Sequence, residues 1–481
     1  MKFRNNIAFF LAALVLFSWV CAQETDPNIS KGLEFINPED AYRYVKIMAS
    51  PKYEGRHTGH PGYTAAAEWA AGMLEKWGLK PINEDGYLQP FESPYTVVDT
   101  AQMTLFLSSK KEGIQLEKEK DFLPLLASDS GKNKAGVVFA GWGISAPELG
   151  YDDYAGLKVD GKFVLCFRGI PDPGDKRFQK HDEHRHRMMT AKQKGALGIF
   201  YIYPEPIANP NMDWIQEFTP TVISEKVADM LFQEKGIQAA ELKKDLLTYK
   251  NPISFPLSSE IEYKVTSRHF PDGIGTNIAG YVEGSDPKLK KHCMVYGAHF
   301  DHCGKHMGLL FAGADDNASG SAVVMEIAEA FSNLETKPKR SVLFVLFGAE
   351  EKGLQGSHFF ADNIPSAFEK VDGMFNFDMV GEGDGTSCSM TPESKELHEI
   401  MEKADESFNI IRRTRFFRGV GVRGSDYVPF YKKGIPCASF ASNGPHIDYH
   451  GTGDTIYRIN PDIMADIAKL AFTAGYNWAN R

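Results

Sequence analysis

Three runs of almost unbroken apolar residues constrain this chain more than any other feature. They are Met294-Val295-Tyr296-Gly297-Ala298, Val342-Leu343-Phe344-Val345-Leu346-Phe347 and Gly373-Met374-Phe375-Asn376-Phe377. A strand with one wet face alternates apolar and polar side chains, so continuous apolar runs belong to strands covered on both faces. A helical pattern with apolar positions at Val323, Ile327, Phe331 and Leu334 separates the first two, and a short helix follows the second. Strands alternating with helices predict an α/β fold: a mostly parallel twisted sheet with helices on both faces.

Each run closes on groups that bind metals or move protons. The first ends in His299-Phe300-Asp301-His302, the second in Ala349-Glu350-Glu351-Lys352-Gly353 and the third in Asp378-Met379-Val380-Gly381. Ligands of open α/β sheets collect outside the carboxyl ends of the strands, so these distant segments are expected in one crevice. Two loop clusters join them: Gly313-Ala314-Asp315-Asp316-Asn317-Ala318-Ser319-Gly320 before a helix, and Asp448-Tyr449-His450-Gly451-Thr452-Gly453-Asp454-Thr455 after a Gly-Pro turn. Singly, each has an ordinary explanation as a surface hydrogen bond, a helix cap or a solvated turn. Together they mix imidazole with carboxylate, which suits zinc, whereas an all-oxygen shell suits calcium or magnesium. Two histidines and three acids are too many for one tetrahedral catalytic zinc. They suit two metals ~3.5–4 Å apart that share a carboxylate and a water. Glu350, beside a ligand but pointing elsewhere, is placed for a general base.

The rest of the chain sets the frame. At 481 residues it exceeds one ordinary domain. Hydrophobic residues at 43% and charged residues at 24% describe a globular core and exclude a disordered, collagen-like or multi-span membrane protein. A net charge of −10 without a long basic block argues against a nucleic-acid partner. Lys2 and Arg4, the apolar run Ile7 to Val20 and then Val20-Cys21-Ala22 read as a signal peptide over residues 1–22, hence export to the periplasm or beyond. Lipidation at Cys21 is the minor alternative. The run is short for a membrane span, which needs ~20 apolar residues, so no transmembrane anchor is expected. Residues 120–265 change to short β-like runs punctuated by Gly, Pro and Asp. They read as an inserted β-rich domain that interrupts a main domain of residues 34–119 and 266–481. Cys166, Cys293, Cys303, Cys388 and Cys437 read chiefly as small buried hydrophobes, although export leaves a bridge or two open. His181-Asp182-Glu183-His184-Arg185-His186 reads as a solvated helix face. His302, His306 and His446 lie near the site with no spacing that makes them ligands.

With these motifs the chain resembles the secreted di-zinc aminopeptidase family. Its relatives include glutamate-carboxypeptidase-type peptidases, transferrin-receptor-like proteins and glutaminyl cyclases. Ser50-Pro51-Lys52-Tyr53-Glu54-Gly55-Arg56-His57-Thr58-Gly59 looks like the family's N-terminal segment. Gly141-Trp142-Gly143-Ile144 with Tyr151-Asp152-Asp153-Tyr154 looks like an inserted protease-associated domain. The resemblance implies two Zn²⁺ per chain. His299 and Asp378 would hold one and Glu351 and His450 the other, with Asp316, rather than Asp315, as the bridge. It further implies Glu350 as general base, Asp301 as the acid that orients an imidazole, Tyr449 beside the oxyanion, and a cis peptide between Asp316 and Asn317. The implied activity is removal of the N-terminal residue from peptide substrates, with the oligomeric state left open. A carboxypeptidase or a single-zinc glutaminyl cyclase is the alternative. A receptor-like protein ranks last, because no ligand is lost.

Overall fold

The computed structural model describes residues 26–84, 86–210, 214–417 and 424–481; the expected signal segment and Cys21 lie outside them. The main domain is built on strands β1 (Ile274–Val282), β2 (His292–His299), β3 (Ser341–Phe347), β4 (Lys370–Phe377) and β5 (Cys437–Ser442), with helix α1 (Gly320–Ser332) between β2 and β3 and helix α2 (Pro461–Ala479) at the C-terminus. The strands lie in the order β1-β3-β2-β4-β5 within a larger sheet. From β3 to β5 all neighbours run parallel. The flanks do not: β1 is antiparallel to β3, and Cys388–Pro392 is antiparallel to β5. The expectation of a mostly parallel sheet therefore describes the centre, where helical crossovers impose it.

The apolar runs behave as two-faced strands. Met294, Tyr296, Ala298, Val342, Phe344 and Leu346 pack on one side, with side chains from the helices Pro38–Met48, Pro61–Lys76, α1 and α2. Cys293, Val295, Leu343, Val345 and Phe347 pack on the other, with Phe360, Tyr427 and Phe430. Full burial of each such Val, Leu or Phe is worth ~1.5–3 kcal/mol. In that layer the Tyr296 hydroxyl donates to the Ala471 carbonyl at 3.0 Å.

A second, eight-stranded sheet forms its own layer. Texture alone sets the insert at 120–265, but this sheet reaches from Tyr95 to Phe270. The strand Tyr95–Phe106 pairs along its length with Ser254–Phe270, so a long antiparallel ladder closes the unit where the chain enters and leaves it. Inside, Asp153 is fully buried. Its Oδ2 accepts the N–H groups of Trp142 and Ile144, each at 3.0 Å, and its Oδ1 accepts the Tyr151 hydroxyl at 2.9 Å. One carboxylate thus wires the Gly141–Ile144 turn to the Tyr151–Tyr154 turn. Burial pushes its pKa up to about 7, against the pull of those donors.

Cys166, Cys293, Cys303, Cys388 and Cys437 are all buried thiols without a bridge. Within the His181–His186 tract, Glu183, Arg185 and His186 are exposed, but His181 is buried with its Nε2 3.1 Å from Glu148. His184 Nε2 accepts from Arg168 and Asn209. The tract is therefore only half a solvated face. Among the described residues no helix is long and apolar enough to cross a membrane.

Candidate metal centre

The site forms where β2, β3 and β4 stop. β2 ends on His299, whose Nδ1–H donates to the backbone carbonyl of Asp301 at 3.2 Å. A carbonyl only accepts, so in the neutral imidazole the lone pair sits on Nε2, facing the crevice. Nε2 lies 3.2 Å from Asp316 Oδ1 and 3.3 Å from Asp378 Oδ1. On the other side, His450 Nε2 lies 3.3 Å from Asp316 Oδ2 and 3.0 Å from Glu351 Oε2. Asp316 thus turns one oxygen to each histidine–acid pair. Its neighbour Asp315 faces away, accepting the N–H groups of Gly381 and Glu382 at 2.9 Å and lying 2.6 Å from His446 Nδ1.

The backbone at these positions is bent to order. Ala349 before Glu350, Met379 after Asp378 and His450 itself have φ of 54°, 55° and 56°. Left-handed backbone in non-glycine residues is uncommon and gathers at functional sites. The Asp316–Asn317 peptide is cis. Asp454 holds this loop by accepting the N–H of Asp315 at 2.7 Å and of Asp316 at 3.1 Å. Beneath it lies the fully buried guanidinium of Arg56. It donates to the carbonyls of Phe300 at 2.8 Å, Met48 at 2.8 Å, Ala312 at 2.9 Å and Gly313 at 2.7 Å. One cation therefore ties the His299–Asp301 turn to the Asp315–Asp316 loop.

The electrostatics are those of converging acids. Burial pushes the Glu350 carboxyl well above the usual carboxylate range. His299 opposes this, while the carboxylates of Asp426, Glu351 and Asp378 add to it. Glu351 moves the other way, to about 2: burial raises it, but the imidazoles of His450 and His302 outweigh burial. Asp426, fully buried, is pushed up to about 7 by burial. Packing acids this tightly is unfavourable without a compensating cation. The donors also fit one: His450 Nε2 is buried with no hydrogen-bond partner although the Glu351 and Asp316 carboxylates stand nearby. Imidazole, carboxylate and a bridging acid are the donor set of a zinc pair.

The structure therefore gathers His299, Asp316, Glu351, Asp378 and His450 in one pocket, with Glu350 beside them. Asp301 departs from the expected role. The strand ends at His299, so side-chain alternation no longer places residue 301, and its carbonyl rather than its carboxylate takes the imidazole proton. The carboxylate, 4.0 Å from His299 Nδ1, accepts the backbone N–H of Glu350 at 3.1 Å instead. Tyr449 is 52% exposed and stands at the mouth, its ring stacked on His450 with centroids 3.9 Å apart. His302 is closer to the centre than spacing suggested, with Nδ1 2.9 Å from Glu351 Oε1. Its position in the same His-Phe-Asp-His turn was the available signal.

The second sheet borders this pocket. The backbone N–H of Ala208, in the segment 204–210, donates to the carbonyl of His450 at 3.1 Å. His306, held neutral because burial lowers its pKa to about 4, lies with Nε2 2.6 Å from the Pro124 carbonyl and donates to it. Leu123 and Ala208 pack with Cys303 and Phe311 from the hairpin between the histidine turn and the Asp316 loop.

The segment that carries these side chains, residues 277–474, matches the model described as peptidase family M28. The chain is 27% identical over 333 residues to leucine aminopeptidase 2 of Trichophyton equinum, covering 63% of this chain and 59% of that protein. It thus spans about three fifths of that relative's length. It is 24% identical over 429 residues to aminopeptidase YwaD of Bacillus subtilis, covering 85% of this chain and 79% of the relative. The fold is that of the M28 aminopeptidases. It superposes on the structure of a zinc aminopeptidase from Bacillus subtilis with a TM-score of 0.65 at 19% identity, covering 92% of this chain and 95% of the other.

Proposed function

We propose that the chain is an exported aminopeptidase with a co-catalytic pair of zinc ions that releases N-terminal residues from peptides. The observation that carries this reading is the placement of Asp316, with Oδ1 3.2 Å from His299 and Oδ2 3.3 Å from His450. A single carboxylate between two histidine–acid pairs is what two neighbouring cations require and what one cation does not use. The relatives named as aminopeptidases support the reaction class. The signal-like residues 1–22 support export, and the Gly141–Ile144 and Tyr151–Tyr154 turns support reading the second sheet as a protease-associated insert.

When bound, zinc supplies a water that ionises near pH ~7 and polarisation for the scissile carbonyl. His299 with Asp378 and His450 with Glu351 would hold the ions, and Asp316 would join them. Glu350 takes the proton of the attacking water and returns it to the leaving amine. Its raised pKa suits a group that must hold a proton between those two steps. Tyr449, stacked on His450 at the mouth, offers its hydroxyl to the oxyanion.

Metal content by mass spectrometry, paired with a panel of aminoacyl-nitroanilides, N-blocked peptides and C-terminal dipeptides, tests this reading. Two zinc per chain and cleavage only of substrates with a free amine are expected. One zinc with cyclisation of N-terminal glutamine, or cleavage that needs a free carboxylate, would overturn it.

A further inference from the structure

The shell around Glu351 and His450 holds more donors than a bridged position needs. His302, Cys303, Glu351 and His450 each bring a ligand atom within 4.8 Å of the others, and all four are buried. One of those imidazoles carries an unpaired buried nitrogen that faces the acids, His450 Nε2. Leaving a buried polar atom unpaired costs ~1–3 kcal/mol, so His450 Nε2 calls for a partner in this shell, toward which His302 turns its Nδ1, 2.9 Å from Glu351 Oε1. The thiol beside them is sealed by Leu123, Ala208 and Phe311, which leaves a soft donor in a dry pocket.

We propose that Cys303 is a thiolate ligand of the metal held by Glu351 and His450, and that His302 completes the shell. The proposal rests on the two-metal reading above and deepens it. On binding, the Sγ–H bond breaks, the proton leaves to solvent and a sulfur–metal bond forms, with no electron transferred. With the Asp316 oxygen that faces His450, two imidazoles, the Glu351 carboxylate and a thiolate bring five protein donors to this position, which closes it. The position of His299 and Asp378 is then the one with room for water and substrate. A thiolate also selects zinc or cobalt over magnesium, calcium and manganese.

Cobalt reports the ligand directly. Full-length protein stripped of metal and titrated with Co²⁺ should show visible ligand-field bands together with an intense thiolate-to-cobalt charge-transfer band in the near ultraviolet. Cys303→Ser should keep the visible bands, lose the near-ultraviolet one and bind one of its two metals ~10–100-fold more weakly. Visible bands without charge transfer in the native protein would overturn the thiolate while leaving the two-metal reading intact, and this holds even where the variant fails to fold. A charge-transfer band that survives in Cys303→Ser or Cys303→Ala would overturn it as well. No cobalt uptake at all would sink both.

Discussion

Asp301 Oδ1 accepts the backbone N–H of Glu350 at 3.1 Å. That bond joins the turn after β2 to the turn after β3 and sets where the Glu350 side chain leaves the backbone. Asp301→Asn keeps an acceptor oxygen and is expected to retain most activity. Asp301→Ala leaves the N–H unpaired and is expected to lower kcat ~10–100-fold, with KM little changed. Steady-state kinetics on both variants, with metal content measured alongside, separates the two. Equal losses in Asn and Ala would show that charge, not the hydrogen bond, is what Asp301 supplies.

Glu350→Gln preserves shape and removes the base. Hydrolysis should fall ~10²–10⁴-fold while two metals remain bound. Substantial retained turnover would refute the base assignment.

Asp454 spends both oxygens on consecutive N–H groups, those of Asp315 and Asp316. Asp454→Ala leaves both donors unpaired next to the Asp316 carboxylate. A loss of ~2–4 kcal/mol in stability and reduced metal occupancy are expected, read by denaturant unfolding and metal analysis. Unchanged occupancy would mean the loop is held without Asp454, by Arg56 and by the bonds of Asp315 and Asn317 to the turn after β4.

Tyr449→Phe keeps the ring stacked on His450 and deletes only the hydroxyl. If that hydroxyl meets the oxyanion, kcat drops ~10–100-fold and KM stays near its native value. A change in KM alone would make Tyr449 a substrate-binding residue instead.

Asp153 gives a pH prediction away from the candidate metal centre. Its folded pKa, raised to about 7, lies above the unfolded value. The native state then holds the extra proton between about pH 4 and 7, so this group's contribution to stability falls as pH rises through that window. Asp153→Asn should flatten that part of the stability–pH curve relative to the native protein. Parallel curves from urea unfolding at several pH values would sink the assignment.

The gathering of the candidate ligands was legible because strands and turns have simple rules. Runs such as Val342–Phe347 announce buried strands, and the acids at their ends have one crevice to enter. What lay beyond those rules was hidden. Period-two alternation stops with the strand, so it could not foretell that Asp301 would offer its carbonyl to His299 and its carboxylate to Glu350. Arg56 was visible only as part of a motif; its four carbonyl partners come from three segments brought together by the fold. The strand Tyr95–Phe106 carries no local mark of the sheet it joins, because its partner lies more than a hundred residues away.

The hydrogen bond from Ala208 to the His450 carbonyl has a practical corollary. The half of this molecule that carries the candidate metal centre is not portable. A version trimmed to the main sheet, or one given a foreign insert, would present His450 without the segment 204–210 that fastens it. Anyone grafting this scaffold must therefore move the loop and the histidine as one part.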